Sequence, residues 1–320
     1  MTTAVMRAPF SWRSFFQRYG LLLSLLLLCV ALALASDRFL TADNIVNILR
    51  QSAINGIIAV GMMLVILTRG IDLSVGSVLA LSTVIAADLL RNSGLPPFQA
   101  VLVALVAGSA LGLINGALVA YVNIPPFIAT LGMMTFARGA ALFYTQGQPV
   151  TGLGALGEGL RMLGSADLFG IPMPIIVAGV VFVLGYLLLN HTVLGRQIFA
   201  LGDNEDAAYL SGLPVKQLKL FVYTAAGFLS ALAGIILIGR LNSAQPTAGQ
   251  GFEFDAIAAV VVGGTSFDGG EGTIWGTLIG VLIIGIMNNG LNLLDVSAFY
   301  QDIAKGVVIA LALLLHRAIR

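Results

Sequence analysis

Apolar stretches of bilayer-crossing length recur along this chain, and no other feature constrains its fold as strongly. A helix needs about 20 mostly apolar residues to cross the hydrocarbon of a membrane. Ten segments approach that description: 20–36, 49–68, 74–90, 98–121, 127–144, 172–189, 218–239, 252–265, 274–294 and 298–315. Composition points the same way, with 58% apolar and only 10% charged residues, against about 25% charged in an ordinary soluble domain. So few charges do not cover a water-exposed surface, and disorder requires the opposite balance. The expected fold class is an all-α polytopic membrane protein with about ten transmembrane helices. An N-terminal arm over 1–19 precedes a transmembrane domain over 20–316, which is interrupted by a long loop at 190–217. The segment 252–265 is short for a crossing, so it either spans half the bilayer or joins its neighbour. Such a piece is tolerated only where protein surrounds its free backbone groups.

Orientation follows from the basic residues. The arm mixes Phe10, Trp12, Phe15, Phe16 and Tyr19 with Arg7, Arg13 and Arg18, the pattern of an interfacial anchor rather than of a cleaved leader. With the N-terminus inside, ten crossings return the C-terminus inside. The inner set is then Arg7, Arg13, Arg18, Arg69, Arg196, Lys216, Lys219, Arg317 and Arg320. The outer set is Arg38, Arg50, Arg91, Arg161 and Arg240, with Arg138 and Lys305 inside spans. Nine against five places both termini in the cytoplasm.

Glycine is abundant, at 38 positions, and some of it is patterned. Gly108, Gly112 and Gly116 share one face of the fourth segment, as do Gly276 and Gly280 in the ninth. Small residues four apart let helix backbones approach closely in lipid. Residues 145–171 read as a Gly-rich outer loop. Within it, Gly152, Gly154 and Gly157 match a dinucleotide fingerprint, but no βαβ unit surrounds them and the match is coincidental.

Several chemistries are excluded. A net charge of +1 gives no basic footprint for nucleic acid. Cys29 stands alone, and His191 and His316 lie far apart without partners at ligand spacing, so a metal role is not expected. A phosphate-binding loop needs Lys followed by Ser or Thr. The three lysines, Lys216, Lys219 and Lys305, are followed by Gln217, Leu220 and Gly306. No ATP site and no catalytic constellation is present, so an enzyme is not expected.

The informative polar features are few. In the long inner loop, Asp203 or Asn204 is placed to cap a short helix carrying Glu205 and Asp206 in its first turn, with Gly212 and Pro214 as its stop. A structured inner helix between two spans suits docking of a soluble partner. Two polar turns, one around Gly70, Asp72 and Gly76 and one around Gly263 and Gly264, interrupt apolar segments and face the same side. Asn55, Asn115, Asn288, Asn289 and Asn292 fall in spans, and carboxamides both donate and accept, as a neutral polyhydroxylated solute requires. They serve equally well as bonds between helices. Arg138, Asp302 and Lys305 are intramembrane charges, and Asp302 with Lys305 forms an i,i+3 pair.

The stretches Thr68–Ser77, Ala200–Gly212, Ser243–Gly249, Asp255–Ser266 and Asn288–Leu294 together resemble the permease subunits of bacterial ABC-type monosaccharide importers, over roughly residues 40–315. That resemblance implies a homodimer in the bacterial inner membrane that carries ribose or a similar sugar by alternating access. It implies a cytoplasmic ATP-binding subunit holding the ATP and Mg, a periplasmic sugar-binding protein, and no cofactor on this chain. Asp206-Ala207-Ala208 followed by Gly212 fits the family's coupling pattern, which gives Asn204, Glu205, Asp206, Ala207, Ala208 and Gly212 the role of meeting the ATPase. Arg69 and Glu271 depart from the family's usual residues. Two other readings fit the residues alone: a secondary transporter using Asp302 and Lys305 for protons, and a membrane receptor that binds without moving solute.

Overall fold

A computed structural model describes residues 12–297, 299–307 and 310, with side chains from residue 19 onward apart from 154–156. The expected arm lies mostly outside the described residues, as does the end of the last span. The first helix, α1 (Trp12–Ala35), starts inside the range read as the arm. It is followed by α2 (Ala42–Leu67), α3 (Val75–Arg91), α4 (Pro97–Ala120) and α5 (Pro126–Thr145). Then come α6 (Gly154–Gly164), a hairpin of β1 (Asp167–Leu168) and β2 (Ile171–Pro172), and α7 (Met173–His191). The second half contains α8 (Val193–Asp203), α9 (Glu205–Leu210), α10 (Val215–Leu241), α11 (Phe252–Val262) and α12 (Ile274–Leu293), and residues 299–307 are helical again.

The chain is an all-α polytopic membrane protein. Among the described residues, six helices are long and apolar enough to cross a bilayer: α2, α4, α5, α7, α10 and α12. Proline starts several of them. Pro97, Pro126 and Pro174 sit in the first turn, where the missing N–H has no helical partner to lose. Left-handed Gln146 and Asn242 end α5 and α10.

The core is α2, whose residues from Ile57 to Leu67 are almost wholly buried. Around it pack α7, α10, α11 and α12, while α4 lies along α10. The glycine faces account for that closeness. A Cβ on Gly116 would come within 2.9 Å of Leu220 Cα, and one on Gly112 would strike the Tyr223 carbonyl. Gly276 and Gly280 press in the same way against Gly263 and Ala259, at the end of α11. Both patterned faces therefore serve helix contact.

Two segments differ from the sequence reading, and a third falls within the alternatives it left open. α2 begins seven residues before the apolar run, because Asp43, Asn44 and Asn47 continue the helix with polar side chains. The loop expected over 145–171 contains α6 and the hairpin, with α6 seated on α10 where Gly164 meets Gly239. Amphipathic pieces this short fall below a search for 20-residue runs. Finally, α11 has 11 residues, about 16 Å of helix and half the hydrocarbon thickness. Nearly all of it is buried in protein, which satisfies the condition for a half-spanning piece.

Candidate functional site

The two polar turns and the inner loop converge. α2 ends at Thr68, and Arg69 takes a left-handed φ of 61° that turns the chain sharply. Its guanidinium then reaches across to the junction of α8 and α9. Nε donates to the Gly202 carbonyl at 2.6 Å and Nη2 donates to that of Asp203. From the second turn, Gly270 N donates to the Leu67 carbonyl at 3.1 Å. Gly202 is wedged between them: a Cβ there would meet the Leu67 carbonyl and the Gly270 nitrogen. Three segments far apart in sequence thus form one knot on the side bearing α8 and α9.

The loop 190–217 holds two helices rather than one. Thr192 accepts from Gly195 N at 3.0 Å to start α8. Asn204, the residue read as a cap, accepts from Ala207 N at 2.9 Å to start α9. Glu205 and Asp206 occupy the first turn, where the helix dipole favours acids. Ala208 is buried against Leu201, Val215 and Leu218. Gly212 has a φ of 78° and closes the turn. Glu205 ties α9 to α10 through Lys219 at 2.6 Å, and Lys216 sits 5.3 Å from the Tyr121 ring centroid. A groove of about 500 Å³ runs between α9, the start of α10 and the end of α4, bordered by Asp206, Tyr209 and Lys216. Beside it Tyr209 and Leu210 are 70% and 84% exposed. The result is a rigidly held knob with an apolar tip and acidic base.

Behind this knot lies a buried polar chain. Asp72 accepts from Ser74 N at 2.8 Å and from Ser74 Oγ at 2.6 Å, and Asn115 Nδ2 of α4 donates to the same Ser74 Oγ at 2.9 Å. Thr130 of α5 donates to the Ile71 carbonyl at 3.1 Å. One turn further, Gly76 lies against Gly249 so closely that a Cβ would strike the Gly249 carbonyl. The first turn therefore links α3, α4 and α5 to the segment before α11. In the second turn Gly264 has a φ of 88°, which only glycine adopts freely, and Gly263 packs on Gly276.

The asparagines divide. Asn289 and Asn44 exchange both amide bonds at 2.8 and 3.0 Å, joining α12 to α2. Asn115 is buried in the chain just described. Asn292 is exposed and accepts from Gln301 Nε2 at 2.8 Å. Asn55 and Asn288 are half-buried and each keeps an Oδ1 without a hydrogen-bond partner. Asn288 Nδ2 donates to Asp255 Oδ2 at 3.3 Å.

Among the intramembrane charges, the principal partner of Lys305 is Asp255 at 3.0 Å, with Asp302 at 3.8 Å and its side chain 78% exposed. Arg138 donates from Nη1 to the carbonyls of Pro246 at 2.7 Å and Ala248 at 2.8 Å. It thereby holds the series of turns that leads into α11. The roles of Asp255 and Asn44 escaped sequence reasoning. An acid inside an apolar segment is a recognisable signal for Asp255, whereas nothing local marks Asn44. Among the described residues, no three His, Cys, Asp or Glu side chains come together as a metal site.

Comparison with known proteins bears on this arrangement. Residues 44–314 match the family model described as branched-chain amino acid transport system / permease component. The chain is 52% identical over 301 residues to the ribose import permease protein of Bacillus subtilis (strain 168), covering 94% of this chain and 93% of that one. It is 51% identical over 294 residues to the ribose import permease protein of Escherichia coli (strain K12), covering 92% and 91%. It is 40% identical over 315 residues to the D-allose transport system permease protein of the same strain, covering 98% and 95%. No solved structure matches. With a multi-pass helical fold and a family match along most of its length, the chain belongs to this family of transport-system permease components.

Proposed function

We propose that the chain is the permease of an ABC importer for ribose, working as a homodimer in the bacterial inner membrane. The observation that carries the substrate is the 51–52% identity with ribose import permeases over more than nine-tenths of both chains, against 40% with the D-allose protein. The family description speaks of amino acids, but the relatives described above are named for sugars. The carboxamide oxygens of Asn55 and Asn288, buried and without a hydrogen-bond partner in this structure, would accept from hydroxyls of a neutral sugar once the path opens.

In this reading ten segments cross or enter the bilayer and both termini are cytoplasmic. A cytoplasmic subunit binds ATP and Mg and pushes on α9, with Tyr209 and Leu210 as its contacts. Movement passes through Gly202 and Arg69 to the two polar turns, and from them to α2, α3, α11 and α12. A periplasmic sugar-binding protein delivers the substrate on the opposite face. The rival that uses Asp302 and Lys305 for protons loses its ground, because Lys305 is neutralised chiefly by buried Asp255.

The test is uptake of labelled ribose into proteoliposomes containing the chain, its ATP-binding subunit and its binding protein. Uptake is expected only with all three and ATP, and D-allose is expected to compete poorly. Ribose uptake by the chain alone, driven by an ion gradient, would overturn the proposal.

A further inference from the structure

A second site lies away from the inner knot, on the membrane-facing side between α2, α7 and α12. An apolar groove of about 300 Å³ runs there from Leu49 and Ile175 at one end to Tyr186 and Trp275 at the other. Ile175 and Tyr186 are eleven residues apart on α7, a run of about 16 Å, close to the depth of one bilayer leaflet. Trp275 and Val183 on its rim are 59% and 55% exposed. Gly179 lines it, and a Cβ on Gly179 would meet nothing within 4 Å.

The Leu49 end carries charge. Arg50, the next residue, bonds through Nη2 to Asp167 at 3.1 Å. Asp167 pairs across the hairpin with Pro172, the residue that caps α7, so this ion pair stands above the start of α7. Arg240 donates from Nη2 to Asn47 Oδ1 at 3.3 Å, and the two guanidiniums repel each other. Among the described residues Arg50 has Asp167 as its ion-pair partner and Arg240 has none, and the Arg50 Nε is buried without a hydrogen-bond partner. An anion at this level of the bilayer would satisfy both.

We propose that this groove and the arginines above it hold one glycerophospholipid, with its phosphate on Arg50 and Arg240 and one acyl chain lying along Gly179. Leaflet depth sets the chain, and the excess of guanidinium sets the headgroup, since phosphate is the anion that a membrane presents at this level. The site depends on the membrane-crossing fold and not on the sugar carried or on the partner ATPase.

The experiment is native mass spectrometry of the full chain, delipidated in detergent and titrated with phosphatidylglycerol, with diacylglycerol, or with inorganic phosphate. One phosphatidylglycerol per chain is expected, with neither of the other probes bound at the same concentration. Gly179→Phe fills the groove and Arg50→Gln removes a phosphate donor; each is expected to weaken retention roughly tenfold while keeping the unfolding midpoint of the parent. Arg240→Gln repeats the test independently, and Arg50→Lys restores part of the affinity. Unchanged retention in Gly179→Phe and both Gln variants would overturn the proposal, as would binding of inorganic phosphate alone. So would loss of the periplasmic binding protein by Arg50→Gln with lipid retention intact, because the arginines would then serve a partner's carboxylate.

Discussion

Arg69 shows how one side chain joins elements that the sequence keeps apart. It occupies a left-handed backbone, at a cost of about 1–2 kcal/mol for a residue with a Cβ. Against that stand two hydrogen bonds from a charged group to the carbonyls of Gly202 and Asp203, each worth about 1.5–3 kcal/mol. The bonds outweigh the backbone cost. Arg69→Gly is therefore expected to lower stability by about 1–5 kcal/mol despite relieving the turn, and Arg69→Met by more, since it keeps the cost and loses both bonds. Thermal unfolding of the two variants in detergent orders them, and a Gly variant more stable than the parent would refute this balance. The sequence counts Arg69 among the inner basic residues and as a departure from the family pattern. The residue is exposed, but its polar atoms are turned inward to this chain's own carbonyls. No spacing rule relates residue 69 to residue 202, so the contact was not legible.

At the scale of elements, legibility follows periodicity. The glycine faces of α4 and α12 were readable because a four-residue interval is itself a geometric statement about one side of a helix. The Asn204 cap and the Gly212 stop were readable because capping is local chemistry. Partners of intramembrane charges were not, since local spacing favours i,i+3 neighbours such as Asp302 and Lys305. Tertiary packing instead brings Asp255, at the start of α11, to Lys305 in the last helical segment. This pair fixes the buried half-helix to the end of the bundle. Asp255→Asn leaves a mostly buried ammonium with only an exposed partner, and is expected to cost about 3–5 kcal/mol. Adding Lys305→Met removes that uncompensated charge and is expected to restore most of the loss. Asp302→Asn should change stability by less than about 1 kcal/mol. Equal destabilisation by Asp255→Asn and Asp302→Asn would show that the i,i+3 pair is the one that matters.

For the whole molecule, the proposed coupling requires that a push on α9 reach helices it barely touches. α9 is anchored through Ala208 and Lys219 to α10, and through the α8 junction to the turns after α2 and α11. Two mechanisms fit such a knot. Either the three segments move as one rigid body, or the contact between Asp203 and Gly270 opens during each cycle. The close fit at Gly202 and Gly270 favours the rigid body, because packed interfaces of this kind have few intermediate positions. A disulfide separates the two. A Cβ on Gly270, whose φ is 72°, would lie 3.2 Å from Asp203 Cβ and 2.8 Å from Asp203 N. The two segments must therefore part slightly to reach the usual Cβ separation of about 3.8 Å, and the reduced double variant is the reference for any strain this adds. Cys29 is the sole native thiol and is replaceable by Ser in the background. In the variant combining Asp203→Cys and Gly270→Cys, oxidation is expected to leave ATP-driven ribose uptake at least half that of the reduced protein. Uptake that stops on oxidation and returns with reductant would show that the knot opens, and that transmission runs instead through the Glu205–Lys219 link to α10.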